Sequence, residues 1–267
     1  MNPPKISVLL PVYNAGPFLA EALESVLQQS FGDFELLVLD DGSTDASAEI
    51  IASFTDPRIR YLPNDRNRGL VYTLNRGLEL AQGTYIARMD ADDVCHPERF
   101  AAQASFLDQH PEVAVVATFL DMMDEAGAPL PPWNDDRANS TPAEIRECLL
   151  RTNCLAHPSV MGRAELLRTY RYRPEQKEAE DYDLWLRLVA DGYQLAKVPQ
   201  PLLRYRVLTS SLTRKEGLSG FERRARTKRI FLQQRRASGT MNAWCRRLQV
   251  HYRMDVIRAY LKKWLRR

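Results

Sequence analysis

The sequence predicts an α/β fold in which a mostly parallel central sheet is covered by helices on both faces. Between residues 5 and 89, four short apolar runs alternate with segments of helical periodicity. The apolar runs are nearly continuous, as expected of strands that are buried on both faces. The turns that follow such strands carry polar residues, and ligands in open α/β sheets bind beyond the carboxyl ends of the strands.

The elements of this repeat follow from periodicity and turn residues in chain order. Strands are predicted where apolar residues run together, and helices where they recur at helical spacing. Ser43 or Thr44 is predicted to cap the second helix, which runs through Ile51. The four strands are residues 5–10, 35–39, 58–62 and 85–89, and the other two helices of the repeat are residues 18–27 and 70–80.

The chain after this repeat is less regular. Thr141 followed by Pro142 predicts the start of a helix, because threonine caps helices well and proline suits their first position. Carboxylates at residues 178–183 precede an apolar helix, where the helix dipole keeps them ionised. The remaining predictions are a helix at 97–110, a strand at 113–118, a loop or hairpin at 121–135, an extended piece at 157–161, and a closing strand at 202–207.

Three carboxylates lie on the turn after the fourth strand, at Asp90, Asp92 and Asp93. Like charges this close repel, and one carboxylate would retain its proton unless a cation lay among them. Hard oxygen ligands on a short turn suit Mg²⁺ or Mn²⁺. A solvated acidic turn is the alternative, and the choice depends on what the fold places nearby.

The turns after the first two strands point to the same crevice. They carry Tyr13 and Asp41, and the carboxyl ends of neighbouring parallel strands meet at one edge of a sheet. No G-x-G-x-x-G follows the first strand, which disfavours a dinucleotide-binding fold, and no G-x-x-x-x-G-K-[ST] occurs, which excludes a P-loop protein.

Charge divides the 267-residue chain, whose formal net charge is +3. From Arg214 onward there are 17 Lys and Arg against 3 Asp and Glu, and before it 20 against 31. We therefore expect one domain at residues 1–213 and a basic helical region at residues 214–267. Apolar residues of that region are predicted to form one helical stripe: Trp244, Leu248, Tyr252, Ile257, Leu261, Trp264 and Leu265.

Two accounts of this basic region stay open. The stripe could lie on an anionic membrane, or it could pack on the domain before it with its arginines in solvent. Nucleic-acid binding is not expected, because no base-reading motif accompanies the charge. The four cysteines show no C-x-x-C spacing, and no signal peptide is predicted, so we expect a cytoplasmic protein, peripheral at the inner face of the membrane if the stripe binds lipid.

Five segments, taken together, resemble the glycosyltransferases of family 2, which have the GT-A fold. The segments occur in the family's order and cover roughly residues 5 to 207. They are residues 7–14 (SVLLPVYN), 38–45 (VLDDGSTD), 67–70 (NRGL), 89–93 (MDADD) and 180–185 (EDYDLW).

The resemblance implies roles for residues on the nucleotide side of the crevice. Tyr13 and Asp41 would hold the base, by stacking and by a hydrogen bond from the imide, and Pro11 would lie on the same wall. Asn67 and Arg68 would belong to the loop that lines this side.

Roles for the reacting groups are implied in the same way. Asp92 would be a direct metal ligand, and Asp90 would contact the ribose or the metal. Asp181 would be the catalytic base, with Glu180 beside it in the acceptor pocket. Arg206 falls where the family has a segment near the diphosphate.

The resemblance thus implies inverting transfer of a sugar from a nucleoside diphosphate, with Mn²⁺ or Mg²⁺ as cofactor. Uridine donors are favoured by the Asp41 position, and a glycan or lipid-linked acceptor in cell-surface glycan assembly is expected. The processive motif Q-x-x-R-W is incomplete at residues 233–237, so we expect one sugar per encounter. A sugar-nucleotide pyrophosphorylase and a catalytically degenerate sugar-nucleotide-binding protein remain the alternatives.

Overall fold

Eight strands form one sheet in the computed structural model, which describes residues 3–208 and 220–264. The strands are β1 (Ile6–Val12), β2 (Phe34–Asp40), β3 (Ile59–Tyr61), β4 (Tyr85–Arg88), β5 (Val94–Cys95), β6 (Val113–Met123), β7 (Met161–Arg163) and β8 (Gln194–Arg206). The helices are α1 (Gly16–Leu27), α2 (Ser47–Ser53), α3 (Leu70–Leu80), α4 (Arg99–Gln109), α5 (Asn134–Arg137), α6 (Pro142–Cys148), α7 (Ala164–Tyr170), α8 (Glu180–Ala190), α9 (Gly220–Ala237) and α10 (Ala243–Trp264).

The sheet is mixed, with a parallel half built from the strand–helix repeats. Its order is β3-β2-β1-β4-β7-β6-β8-β5. The pairs β3–β2, β2–β1, β1–β4 and β6–β8 are parallel, whereas β7 is antiparallel to both of its neighbours and β5 is antiparallel to β8. The predicted α/β class and the predominance of parallel pairing are confirmed.

Helices cover both faces of this sheet, as predicted. Successive residues of β1 point to opposite faces, so Val8 lies in one hydrophobic core and Leu9 in the other. Helices α1, α2 and α4 cover the Val8 face, for example through Leu23 and Phe100. Helices α3, α6, α7 and α8 cover the Leu9 face, where Trp185 is fully buried.

The predicted cap of the second helix is wrong. This helix begins at Ser47 after Ala46, so neither Ser43 nor Thr44 caps it. Both residues instead bind Asn14: the Ser43 hydroxyl accepts from the Asn14 N–H at 3.0 Å, and the Thr44 N–H donates to Asn14 Oδ1 at 2.8 Å. These two hydrogen bonds join the turns after β1 and β2.

Two further differences concern the second half of the sheet. Residues 157–161 are not extended throughout, because His157–Ser159 form a 3₁₀ turn before β7. The predicted strand at 202–207 is the end of the longer β8. The cap at Thr141 is confirmed: its hydroxyl accepts from the Glu144 N–H, and the Glu144 carboxylate accepts from the Thr141 N–H.

The two basic helices pack on the rest of the protein through part of their length only: α9 lies on α8, and the start of α10 contacts α9 and α6. Phe231 of α9, with Trp244 and Leu248 of α10, joins the core that contains Trp185. Farther along α10 the apolar side chains are exposed, with Trp264 at 66%. The predicted single stripe is therefore wrong, and its last residue lies outside the described residues, as does the expected boundary near 213. Across residues 3–208 and 220–264, no helix combines the length and apolar character needed to span a bilayer.

A buried ion pair joins α9 to α10. Lys228 Nζ lies 2.7 Å from Asp255 Oδ2, and both side chains are almost fully buried. Lys228 Nζ also donates to the Arg151 carbonyl oxygen at 3.1 Å. The pair therefore fixes the helical hairpin to the loop that follows α6.

Removing one partner of this pair should destabilise the protein strongly. We expect Asp255→Ala to lower the free energy of unfolding by about 3–5 kcal/mol, because it leaves the Lys228 ammonium buried without a counter-charge. Urea denaturation followed by circular dichroism measures the change.

The double variant Lys228→Met/Asp255→Leu is the control. It replaces both charges by apolar groups and should recover most of the loss. A single variant as stable as the wild type would contradict the role given to the pair.

Candidate active site

The turn after β4 brings three carboxylates together at the edge of the sheet. The strand ends at Arg88, and Asp90, Asp92 and Asp93 follow. One ligand oxygen from each of the three lies within 4.8 Å of the others. Asp90 and Asp92 are partly exposed, whereas Asp93 is buried. The turn therefore presents two accessible carboxylates beside one that the protein encloses.

Arg206, the last residue of β8, closes this turn from the other side. Its backbone N–H donates to Asp93 Oδ1 at 2.8 Å, and its Nε donates to the Asp92 carbonyl oxygen at 2.8 Å. Its Nη2 donates to Glu21 Oε2 on α1 at 2.6 Å. In this arrangement Arg206 fixes the turn, and its contact with a diphosphate stays a prediction.

Three negative charges at this turn are unfavourable in the absence of a cation. Burial and the charge of Asp90 raise the pKa of Asp92 to about 6. Burial, with the charges of Asp90 and Asp92, raises the pKa of Asp93 well above its usual range. Both shifts follow from the cost of placing like charges close together in a partly dry site.

The turn fits a divalent metal ion. Asp93 Oδ2 is buried and has no hydrogen-bond partner within the described part of the chain. A divalent cation would satisfy such an oxygen and offset the repulsion between the carboxylates. Oxygen donors of this kind suit Mg²⁺ and Mn²⁺. Asp90 and Asp92 are the accessible candidates for its ligands.

Asp41 anchors the loop on the predicted nucleotide side of the crevice. Its Oδ1 accepts from the Arg68 N–H at 2.8 Å and from Asn64 Nδ2 at 2.7 Å. Its Oδ2 accepts from the Gly69 N–H at 2.8 Å. Asp41 is buried, so this carboxylate holds the loop of residues 64–69 against the end of β2.

Gly42 lets the same loop approach closely. Its φ of +75° is a conformation that favours glycine, and a Cβ at this position would lie 2.5 Å from the carbonyl carbon of Arg66. The loop thus rests directly on the turn after β2.

The other predicted nucleotide-side residues surround this loop. Tyr13 follows β1 and is half exposed, and Pro11 lies in the last part of β1. Asn67 and Arg68 are exposed on the loop itself. Because β1 and β2 are parallel neighbours, all of these residues lie at one edge of the sheet. The structure brings this predicted set together.

The acidic pair at the start of α8 has one accessible member. Asp181 is partly exposed, and its Oδ2 accepts from Asn153 Nδ2 at 2.7 Å. Burial of the carboxyl group raises the pKa of Asp181 above its ordinary value. Glu180 is buried, and burial raises its pKa to about 7. The two neighbours therefore differ in their access to solvent.

His157 links Glu180 to the interior. Its Nδ1 lies 3.4 Å from Glu180 Oε1, and its Nε2 is 2.9 Å from the Tyr172 hydroxyl oxygen. Burial and the charge of Arg88 lower the pKa of His157 to about 3. The imidazole is thus neutral, and one of its nitrogens accepts a hydrogen bond.

Arg88 lies between the acidic turn and the acidic pair. Its Nη2 pairs with Asp90 Oδ1, while its Nε and Nη1 are buried and have no hydrogen-bond partner among the described residues. The charge of Arg88 lowers the pKa of Glu180, and the charge of Asp90 raises it. The charges of Asp181 and Asp90 raise the pKa of His157. The turn after β4 and the start of α8 therefore form one electrostatic cluster.

Arg88, Asn153 and His157 are the site residues that the sequence analysis missed. A charge at the end of the otherwise uncharged strand of residues 85–88 is a signal that could have identified Arg88. Nothing local distinguishes Asn153 or His157, since their partners lie 28 and 15 residues away along the chain.

Comparison with known proteins agrees with this geometry. The model of the family described as "Glycosyl transferase family 2" matches residues 7–171. The putative glycosyltransferase EpsE of Bacillus subtilis is 34% identical over 215 residues, which are 76% of this chain and 73% of EpsE. The amylovoran biosynthesis glycosyltransferase AmsE of Erwinia amylovora is 31% identical over 219 residues, 79% of each chain.

Solved structures share the fold. TarS of S. aureus in complex with UDP-GlcNAc matches with a TM-score of 0.70 at 20% identity, over 86% of this chain and 66% of that one. The mannosyltransferase PcManGT of Pyrobaculum calidifontis, in complex with GDP-Man and Mn²⁺, matches with a TM-score of 0.64 at 19% identity, over 95% of this chain and 69% of that one. The family model covers more than half of the chain, and so this protein belongs to glycosyl transferase family 2 and is a glycosyltransferase.

Proposed function

We propose that this enzyme transfers one sugar from a nucleoside diphosphate to a hydroxyl acceptor, with inversion and with a divalent metal ion. The observation that carries the proposal is the cluster around Arg88. It combines carboxylates that fit a cation with a separate, accessible carboxylate at Asp181. Direct displacement needs these two elements: charge neutralisation at the leaving group and a base for the acceptor.

In this proposal Asp92 and Asp90 hold the metal ion, which supplies positive charge to the diphosphate leaving group. Arg88 orients Asp90 through their ion pair. Arg206 positions the turn through its bonds to Asp93 and to the carbonyl oxygen of Asp92.

Asp181, rather than Glu180, accepts the proton of the acceptor hydroxyl. Asp181 is partly exposed and Asn153 orients its carboxylate, whereas Glu180 is buried and holds a proton below a pH of about 7. A raised pKa makes Asp181 a stronger base than an ordinary aspartate, provided that it is ionised. Glu180 shapes the acceptor pocket beside it.

The donor is a nucleotide sugar, with uridine favoured. Tyr13 offers an exposed ring for stacking, and Asp41 Oδ2 accepts only one hydrogen bond from the loop, so it can accept another from a base imide. TarS is solved with UDP-GlcNAc and PcManGT with GDP-Man, and uracil and guanine both carry such an N–H.

The acceptor belongs to cell-surface polysaccharide assembly in this proposal, as a glycan or a lipid-linked sugar. The name of AmsE, 31% identical, places that enzyme in amylovoran biosynthesis. A degenerate sugar-nucleotide-binding protein is the second candidate. An oriented, accessible Asp181 opposes it, because binding alone needs no base.

Substitution of the two proposed catalytic groups should separate their roles. We expect Asp92→Asn to abolish Mn²⁺-dependent binding of UDP in calorimetry and to slow transfer at least about 100-fold. Asp181→Asn should retain binding of UDP and slow transfer by about 10²–10⁴. Release of nucleoside diphosphate from a panel of sugar nucleotides, with a total cell-envelope lipid extract as acceptor, measures transfer.

Glu165→Gln, which alters an exposed carboxylate of α7, is the matched control and should behave as the wild type. Wild-type transfer by either aspartate variant would refute the role given to that residue.

The donor base can be tested by thermal shift with Mn²⁺. UDP and GDP should raise the Tm more than ADP or CDP, because the Watson–Crick edges of adenine and cytosine lack the ring N–H that a carboxylate accepts. Tyr13→Ala should weaken UDP binding about ten- to hundredfold through lost stacking. Tyr260→Ala, which removes an exposed tyrosine of α10, is the control and should bind UDP as the wild type does. Equal Tm shifts for all four nucleotides would contradict the proposed recognition of the base by Asp41.

The raised pKa of Glu180 predicts a pH-dependent loss of folding stability. Between pH 4.5 and about 7 the folded state binds more protons than the unfolded state, so stability falls as pH rises through this range. The loss is up to about 3 kcal/mol. Glu180→Gln should remove this loss, because glutamine stays neutral at every pH. The variant should therefore have a higher Tm than the wild type at pH 8 and the same Tm at pH 4.5.

Thermal unfolding in the presence of EDTA measures this difference, since chelation keeps metal binding out of the comparison. Glu165→Gln serves again as the control. An identical dependence on pH in the wild type and in Glu180→Gln would show that Glu180 is ionised in the folded protein throughout.

A further inference from the structure

α10 has two apolar faces, and only one of them is covered. Trp244, Cys245 and Leu248 are buried in the core that also contains Phe231 of α9. Asp255, on the same side of the helix, pairs with Lys228. The other face carries large apolar side chains that are 38% to 66% exposed. We call that second face, defined by Val250, Met254, Ile257, Leu261 and Trp264, the outer face of α10.

The outer face is a continuous stripe. Its five residues follow one another at intervals of four and three, which places them on one side of a helix. They lie roughly opposite Leu248 around the helix axis, so the hairpin with α9 cannot cover them. A row of five exposed apolar side chains on one helix is more than scattered surface hydrophobicity.

Every exposed charge on α10 is positive. The single acid of this helix, Asp255, is buried against Lys228. The exposed charged residues are Arg246, Arg247, Arg253, Arg258, Lys262 and Lys263. An apolar stripe flanked by lysine and arginine is the composition of helices that lie in the plane of an anionic bilayer surface.

The flanking charge decides between two occupants. The four-three spacing would also suit a second copy of α10, but Arg253 and Arg258 at the flanking positions would then face positive charges across the interface. Anionic headgroups complement the same residues. We propose that the outer face of α10 docks on an anionic membrane, with its apolar side chains in the headgroup region.

The position of this face connects it to the reaction, and this step rests on the proposed function. Lys263 of α10 lies 3.7 Å from Glu222, at the start of α9. Arg226, one turn along α9, donates to Glu178 at 3.0 Å, just before the acidic pair of α8. The last turn of α10 is thus linked through α9 to the segment that leads to Asp181, so docking of α10 would hold the proposed base on the part of the molecule tethered to the membrane.

Vesicle flotation of the full-length protein tests the docking itself, without any assay of transfer. We expect binding to vesicles of phosphatidylglycerol and phosphatidylcholine, and little binding to phosphatidylcholine alone. Ile257→Ser/Leu261→Ser/Trp264→Ser should reduce the partition coefficient at least about tenfold. Arg253→Gln/Lys262→Gln should reduce it to a similar extent, and added salt should weaken wild-type binding.

Matched controls remove the same groups elsewhere. Leu130→Ser removes an exposed leucine beyond β6, and Arg229→Gln/Arg236→Gln removes two exposed charges from α9. Both should bind as the wild type. Because the outer-face residues are exposed, the serine variant should keep the wild-type Tm, so loss of binding cannot be ascribed to unfolding.

Three results would overturn the proposal. One is absence of binding by the wild type, and another is equal binding by the serine variant. The third is a dimer in sedimentation equilibrium that the serine variant abolishes, which would identify a second copy as the occupant. Loss of flotation with unchanged sugar transfer to a soluble acceptor would separate this inference from the proposed function.

Discussion

The accumulation of negative charge at the turn after β4 is the constraint on which the site depends. Three carboxylate oxygens within 4.8 Å cannot all stay ionised in a partly dry site without positive charge beside them. The protein supplies some of that charge from Arg88 and Arg206, which approach from opposite sides. Asp93 Oδ2 has no hydrogen-bond partner among residues 3–208 and 220–264, and this remaining negative charge makes the turn suitable for a cation.

The contacts that hold this turn come from distant parts of the chain. Arg206 reaches Asp93 across 113 residues of sequence, so β8 must be in register before the turn is complete. Arg99 is buried below the turn and donates to the carbonyl oxygens of Arg88 and Val160, which fixes the end of β4 against β7. The short antiparallel β5, directly after the acidic turn, pairs with β8 and holds that strand beside it. The antiparallel half of the sheet thus supplies most of the contacts that hold the turn.

The sequence was informative wherever a signal is local. Apolar runs located β1, β2 and β4 to within about two residues, and the cap at Thr141 was identified from its own neighbours. The candidate site was predicted as a set because its members follow strands or begin a helix. Asn153 and His157 escaped prediction, since their roles arise from contacts that only the folded chain creates. The prediction of a single stripe on α10 was wrong for a related reason. The sequence identifies the apolar residues, but the packing of the folded chain decides which of them are buried.

The contact between Gly42 and the loop of residues 64–69 has a practical consequence for altering donor choice. Gly42 and Asp41 set the depth at which the loop sits, so substitutions there would displace the whole segment. Asp65, Arg66 and Asn67 have exposed side chains on a backbone that is already held in place. A library confined to these three positions would vary the chemistry of the loop surface while its backbone stayed constant, so under the proposed function they are the first positions to vary when nucleotide preference is engineered.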